Sequence, residues 1–184
     1  MIEEKHARAL TAEELERIEI PGKVTELIRG RLMVRGPPGT RHGMIAANLC
    51  IILGAFVRRE NLGAVCAQDT GFKIESNPDT VRAPDVAYLC NESLRAVRPR
   101  GYATVAPDVA VEVLSPDDRA SEVLTKVEGW LSAGTKLVWI VDPDRQEVRV
   151  HRQNGSVTIV APGGSVEGEN VLPGFTCFVR EIFS

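Results

Sequence analysis

Residues 107–141 read PDVAVEVLSPDDRASEVLTKVEGWLSAGTKLVWIV. Side chains alternate along a strand, so Asp108, Ala110, Glu112 and Leu114 share one face, and Val109, Val111 and Val113 share the other. The valine face belongs to a core. Ser115-Pro116-Asp117-Asp118 then reads as a helix start: a serine cap, a proline at the first helical position and acids at the positive end of the dipole. The helix is expected over 116–133, with Gly134 as its stop. Leu137–Val141 is apolar throughout, as a strand buried on both faces requires. Strand, helix and strand make a βαβ crossover, right-handed by default. The chain is therefore α/β in character, an α+β mixture with a parallel pair at its centre. Both faces of strand 108–114 are expected to be covered, and Glu112 lies on one of them. A carboxylate there costs several kcal/mol, on the order of 3, unless cations or hydrogen bonds compensate.

Outward from this unit, Thr11-Ala-Glu-Glu14 is a capping box for a short helix over 12–18. Residues 25–28 and 31–35 flank Arg29-Gly30 as a hairpin. Gly36-Pro-Pro-Gly39 breaks the chain, and an apolar helix runs from Thr40 to about Glu60. Strands are expected at 64–74 and 81–89. After the turn Asp142-Pro143-Asp144-Arg145, residues 147–152 and 157–161 alternate as a second hairpin. The whole of 1–184 reads as a single domain: a core over 40–142, a helix and hairpin extension over 1–36, and a hairpin extension over 143–184.

The chain has 184 residues, 43% of them hydrophobic, and a net charge of −3. That composition supports a packed core and excludes binding nucleic acid through a global basic field. Cys50, Cys66, Cys90 and Cys177 are widely spaced in apolar settings with no CxxC, which reads as buried free thiols in a cytoplasmic protein rather than a zinc knuckle. The N-terminus is too charged for a signal peptide. The run Met44–Val57 is too short, with Asn48 within it, for a membrane span.

Three groups carry the chemistry. Glu112 stands among apolar neighbours. Asp85 follows Pro84 at the start of another apolar strand. Lys126 flanks the apolar stripe Val123, Val127, Trp130 and Leu131 of the helix, beside Arg119. Phosphodiester hydrolysis needs a divalent metal to polarise the phosphate and supply hydroxide at neutral pH. Mg²⁺ or Mn²⁺ wants oxygen ligands, one or two of them carboxylates. An ammonium then orients the water or neutralises developing charge. Taken singly, each residue has a plainer reading: a solvated glutamate, a turn aspartate, a snorkelling lysine. Asp108, at the strand entrance, reads as a turn or cap acid, as do Asp69 and Asp142. His6 and His151 read as surface residues.

The segments TELIRGRLMVRGPPGTRHGMIAANL, GFKIESNPDTVRAPDVAYL, PDVAVEVLSPDDRASEVLTKVEGWLSAGTKLVWIVDPDRQEVRVHR and VLPGF follow in order from Thr25 to Phe175. In these segments the chain resembles the Uma-type family of restriction-endonuclease-like proteins common in cyanobacteria. That family is placed in the PD-(D/E)xK nuclease superfamily. The resemblance implies a core of helix, three strands, helix and strand, with added N- and C-terminal hairpins. It implies that Asp85 and Glu112 are the metal-binding acids, joined by the Val113 carbonyl. The superfamily lysine belongs two residues after the acid, where Leu114 stands, so the family's lysine points instead to Lys126. His42 matches an RH pair at the start of the core helix and would touch a phosphate or the attacking water; the helix dipole there favours its neutral ring. Glu26 matches an EL pair and would lie at the mouth of the site. Arg31 stands where relatives often carry an acid.

The reading is a Mg²⁺- or Mn²⁺-dependent endonuclease acting on DNA, as a homodimer, with no membrane. The alternative is a nucleic-acid or protein binding module on an inactive nuclease scaffold. A carbohydrate hydrolase ranks lower, since the sequence carries few aromatics, and no GxGxxG follows a strand for a dinucleotide.

Overall fold

Thr11 opens the first helix of the computed structural model, which describes residues 8–184; His6 lies outside them. The Thr11 hydroxyl accepts the Glu14 N–H and the Glu14 carboxylate accepts the Thr11 N–H, completing the expected capping box. This helix, α1 (Ala12–Leu15), makes one turn rather than reaching residue 18. The hairpin of β1 (Val24–Ile28) and β2 (Arg31–Arg35) forms as expected. Arg29 and Gly30 turn it at φ 49° and 75°, the signs a two-residue type I′ turn requires. Gly30 also packs so closely on Ala9 that an added Cβ would sit 2.4 Å from the Ala9 Cβ.

The second helix, α2 (Thr40–Arg59), buries Ile45, Leu49, Leu53 and Val57 at helical spacing. By length and composition α2 is able to cross a membrane, unlike the shorter run considered above; here its buried stripe packs on a sheet. Two expected strands each divide. Residues 64–74 become β3 (Gly63–Ala67) and β4 (Phe72–Glu75), separated by a turn with Asp69 at φ 68°. Residues 81–89 become β5 (Thr80–Arg82) and β6 (Val86–Cys90), separated by Ala83-Pro84-Asp85. In each case the chain crosses from one sheet to another. At the second break Pro84 contributes, because it donates nothing to a ladder.

A short helix, α3 (Asn91–Ala96), precedes β7 (Val109–Val113), and α4 (Ala120–Ser132) follows it. The helix after β7 starts four residues later than the sequence suggested. Residues 115–118 form a turn instead, in which the Asp118 carboxylate accepts the Ser115 N–H at 2.8 Å. Arg119, expected on the helix flank, is the N-cap. Beyond lie β8 (Leu137–Asp142), the hairpin of β9 (Glu147–Arg152) and β10 (Val157–Val160), a small pair of β11 (Ser165–Glu167) and β12 (Thr176–Phe178), and α5 (Val179–Ile182).

The main sheet runs β10-β9-β8-β7-β6-β3, and the smaller runs β2-β1-β5-β4. Only β7 and β8 pair in parallel within the main sheet, joined by α4 as the crossover. Every residue of β7 and β8 is buried. Val109, Val111, Val113, Trp139 and Val141 face α2 and the C-terminal elements. Ala110, Val138 and Ile140 face Val127 and Trp130 of α4. The architecture is thus the expected mixed α/β one, with helices on both faces of a central parallel pair. All four cysteines are free; Cys177 is buried, whereas Cys50, Cys66 and Cys90 are only half-buried. His151, expected at the surface, is half-buried on β9.

Candidate active site

Between the two sheets lies an open cleft of about 660 Å³. Its wall includes Glu26, His42, Asp85, Glu112 and Lys126, five of the six residues named from sequence; Val113, the sixth, is not part of it. The five come from β1, the start of α2, the β5–β6 crossing, β7 and α4. The Ser115–Asp118 turn forms one lip.

Glu112 is buried, 5% exposed. Alternation along β7 turns it away from the valine face and toward α4. There Oε2 accepts from Lys126 Nζ at 2.7 Å and Oε1 accepts from Trp130 Nε1 at 2.9 Å. Lys126 and Trp130 are one helical turn apart, so they reach the same carboxylate from one side of α4. Burial pushes the Glu112 carboxyl up; Lys126 pulls it back, and nearby Asp85 and Glu26 push it up again, leaving the net shift upward. For Lys126 burial acts downward, but the Glu112 carboxylate outweighs it and the ammonium holds its proton more tightly than usual.

Asp85 sits where the chain enters β6. Its own N–H donates to the Val111 carbonyl, and its Oδ2 accepts the Val113 N–H at 2.7 Å. The two acids are thus registered on successive residues of one strand: Asp85 grips Val113, and Glu112 is the residue before it. His42 is the third residue of α2, and its Nε2 lies 3.2 Å from Asp85 Oδ2. Burial works to lower its pKa, but Asp85, aided by the Val113 backbone and Asp118, raises it overall. The shift is toward the charged ring, opposite in direction to the effect expected from the helix dipole. A carboxylate in contact outweighs the partial charge of a helix end. The other ring nitrogen, Nδ1, is buried without a partner.

Glu26 is buried rather than at the mouth, 5% exposed. Oε1 accepts the Ala83 N–H at 3.1 Å, which ties β1 to the crossing that carries Asp85. Oε2 has no hydrogen-bond partner; Arg35 and Arg82 approach it only to 3.8 and 3.9 Å. Asp108 and Lys136 pair at 2.7 Å at the opposite end of β7, where Asp108 also accepts the Cys90 N–H, so that acid does act as a cap. Asp142 accepts two turn N–H groups and is a strand-end acid. Sequence reasoning missed the polar roles of Trp130, Arg35 and Arg82. An indole scores as apolar in a pattern, and an arginine closing a hairpin scores as surface.

This strand order, with an acid at the β6 entry, an acid on β7 and a lysine from the crossover helix, can be compared with known families. The sequence matches the family described as "Uma2: Putative restriction endonuclease" over residues 12–180. The chain belongs to the Uma2 family. A crystal structure described as a putative nuclease of DUF820 from Anabaena variabilis shares its fold at a TM-score of 0.80, with 20% sequence identity over 95% of this chain and 97% of that one. No curated protein matches the chain. The Uma2 match spans both sheets, from α1 to α5, so the N-terminal hairpin that supplies Glu26 lies within the family's own extent.

Proposed function

We propose that this Uma2 protein is a divalent-metal-dependent endonuclease that hydrolyses DNA phosphodiester bonds in the cleft between its sheets. The observation that supports this most strongly is the placement of Lys126. Its Nζ lies 2.7 Å from Glu112 Oε2, and both residues line the same cleft as Asp85.

The residues fit a hard cation. The donors on the cleft wall are the Asp85 and Glu112 carboxylates, both oxygen, which suits Mg²⁺ or Mn²⁺; the Val113 carbonyl, the third ligand the resemblance implies, belongs to a residue off that wall. Only Oδ2 of Asp85 is engaged among the described residues, which leaves Oδ1 for a ligand. No group of three or more His, Cys, Asp or Glu side chains there is arranged around one ion. The remaining coordination then falls to water and substrate, the usual state of Mg²⁺. Such a cation supplies Lewis acidity at the phosphate and lowers the pKa of water. In this reading Lys126, fixed by Glu112, directs its ammonium at the attacking water and the charge growing on the phosphate. His42 holds Asp85 in orientation through its Nε2 contact. Glu26 fixes the Ala83 backbone and hence the position of Asp85.

A second reading, a binding module without catalysis, draws on one observation: Glu112 is already satisfied by Lys126 and Trp130 without any ion. Titration with Mn²⁺ followed by electron paramagnetic resonance separates the two. The nuclease reading expects one saturable site, lost in Asp85→Asn and in Glu112→Gln; binding that is absent, or indifferent to both changes, overturns it. A homodimer is the assembly this reading favours, since cutting both strands of a duplex takes two sites.

A further inference from the structure

The cleft is acidic. Glu26, Asp69, Asp85, Glu112, Asp117 and Asp118 line it, against the cations Arg35 and Lys126 and the imidazole of His42. A polyanion entering such a space needs a cation that is not already committed. Lys126 is committed: its side chain is 15% exposed and hydrogen-bonded to Glu112. His42 is committed to Asp85. Arg35 is different. Its side chain is 41% exposed, and it donates no hydrogen bond among the described residues. Its ionic neighbour, Glu26 Oε2, stays at 3.8 Å, beyond hydrogen-bond reach. Arg35 closes β2, immediately before Gly36-Pro37-Pro38-Gly39, and those four residues also line the cleft. The guanidinium thus stands at the rim, attached to a strand on one side and a proline-stiffened segment on the other, with its fork of donors free.

We infer that Arg35 is the substrate-anion subsite of the cleft, taking a backbone phosphate of the nucleic acid through its guanidinium fork. The inference rests on the nuclease reading and adds to it the group that admits a phosphate to an acidic site. A planar fork of donors matches two phosphate oxygens at once, which a lysine ammonium does not do. Glu26 Oε2, 3.8 Å away, attracts the guanidinium without taking one of its donors. Arg31 lies on the same face of β2, two repeats of the alternation away at the hairpin end, exposed and outside the cleft wall. It provides a control of equal charge on the same strand.

The test is binding of a fluorescein-labelled DNA duplex, and of its single strand, by anisotropy in Ca²⁺ buffer over a series of salt concentrations. Wild type, Arg35→Ala, Arg35→Lys and Arg31→Ala are compared, each first shown to melt as wild type does. Arg35→Ala is expected to weaken binding roughly tenfold or more, the scale of a lost charge-assisted contact. It should also reduce the slope of log Kd against log salt by about 1, the signature of one phosphate contact removed. Arg35→Lys should restore the slope but only part of the affinity, and Arg31→Ala should change neither. If wild type binds and Arg35→Ala behaves as Arg31→Ala does, the inference is wrong while the nuclease reading stands. If wild type binds neither form of DNA, the DNA-nuclease reading fails and the inference falls with it.

Discussion

Replacing Lys126 by methionine removes the ammonium while keeping most of the side-chain volume against α4. The consequence follows from the burial of the pair. The Lys126 side chain is 15% exposed and that of Glu112 7%, so solvent screens little of the interaction. Removing one partner of a buried pair costs about 3–5 kcal/mol, because the other charge is left uncompensated. Trp130 still donates to Glu112, and Glu112 can take up a proton, which brings the expectation to about 2–4 kcal/mol at pH 8. For a chain of this size that is roughly 5–12 °C in Tm. The pH dependence has a definite sign. Lys126 has a raised pKa, so its contribution in the wild type is fully present below its ordinary 10.5 and does not vary between pH 5 and 8. Glu112 is already raised above 4.5, and losing Lys126 raises it further. Below that elevated pKa the carboxyl is neutral and the loss is relieved, so the variant approaches wild type toward pH 5 and falls away as pH rises. Thermal melts in EDTA across pH 5–8 measure this. Adding Glu112→Gln to the variant should recover much of the loss, since a neutral amide needs no counter-ion. A loss under about 0.5 kcal/mol that is flat with pH would refute the reasoning, because that is the behaviour of an exposed pair.

Other expectations follow from the same geometry. His42 has a raised pKa through Asp85, so the stability it contributes is fully present below its ordinary 6.5 and is lost as pH rises through the folded value. His42→Ala in EDTA should therefore cost about 1 kcal/mol at pH 6 and less at pH 8.5, and NMR titration of the ring should give a midpoint above 6.5. Trp130→Phe keeps the packing against Phe72 but strands Glu112 Oε1, and should cost about 1–3 kcal/mol by urea melt. The Cys177 thiol, pushed up to about 12 by burial and then by Glu181, should resist iodoacetamide at pH 8 in the folded protein and react on unfolding, as mass spectrometry of the labelled peptide would report.

The crossover was legible because its signals are local and agree with one another. An alternating run, a helical stripe and an unbroken apolar run lie within 35 consecutive residues, and β7, α4 and β8 form there. Glu112 could be suspected because that unit leaves no wet face for it. The divided strands could not be read the same way. An apolar run looks alike whether it continues along one sheet or passes into a second, and only the pairing of β5 with β1 and of β6 with β7 separates the cases. Ser115-Pro116-Asp117-Asp118 carries every mark of a helix start, yet Asp118 uses its carboxylate on Ser115 N–H, and the turn lines the cleft instead. α3 buries none of its residues and so leaves no periodic trace. The five site residues were nameable one by one. Their convergence was not, since it depends on Glu26 holding Ala83 and Asp85 holding Val113 across 57 and 28 residues of chain.

The most direct test of the account is cleavage of supercoiled plasmid in Mn²⁺ and in Mg²⁺, comparing wild type with Asp85→Ala, Glu112→Ala and Lys126→Ala purified in parallel. The account predicts nicked and linear product from wild type and none from the three variants. Product undiminished in Asp85→Ala, from a preparation free of contaminating nuclease, would contradict it.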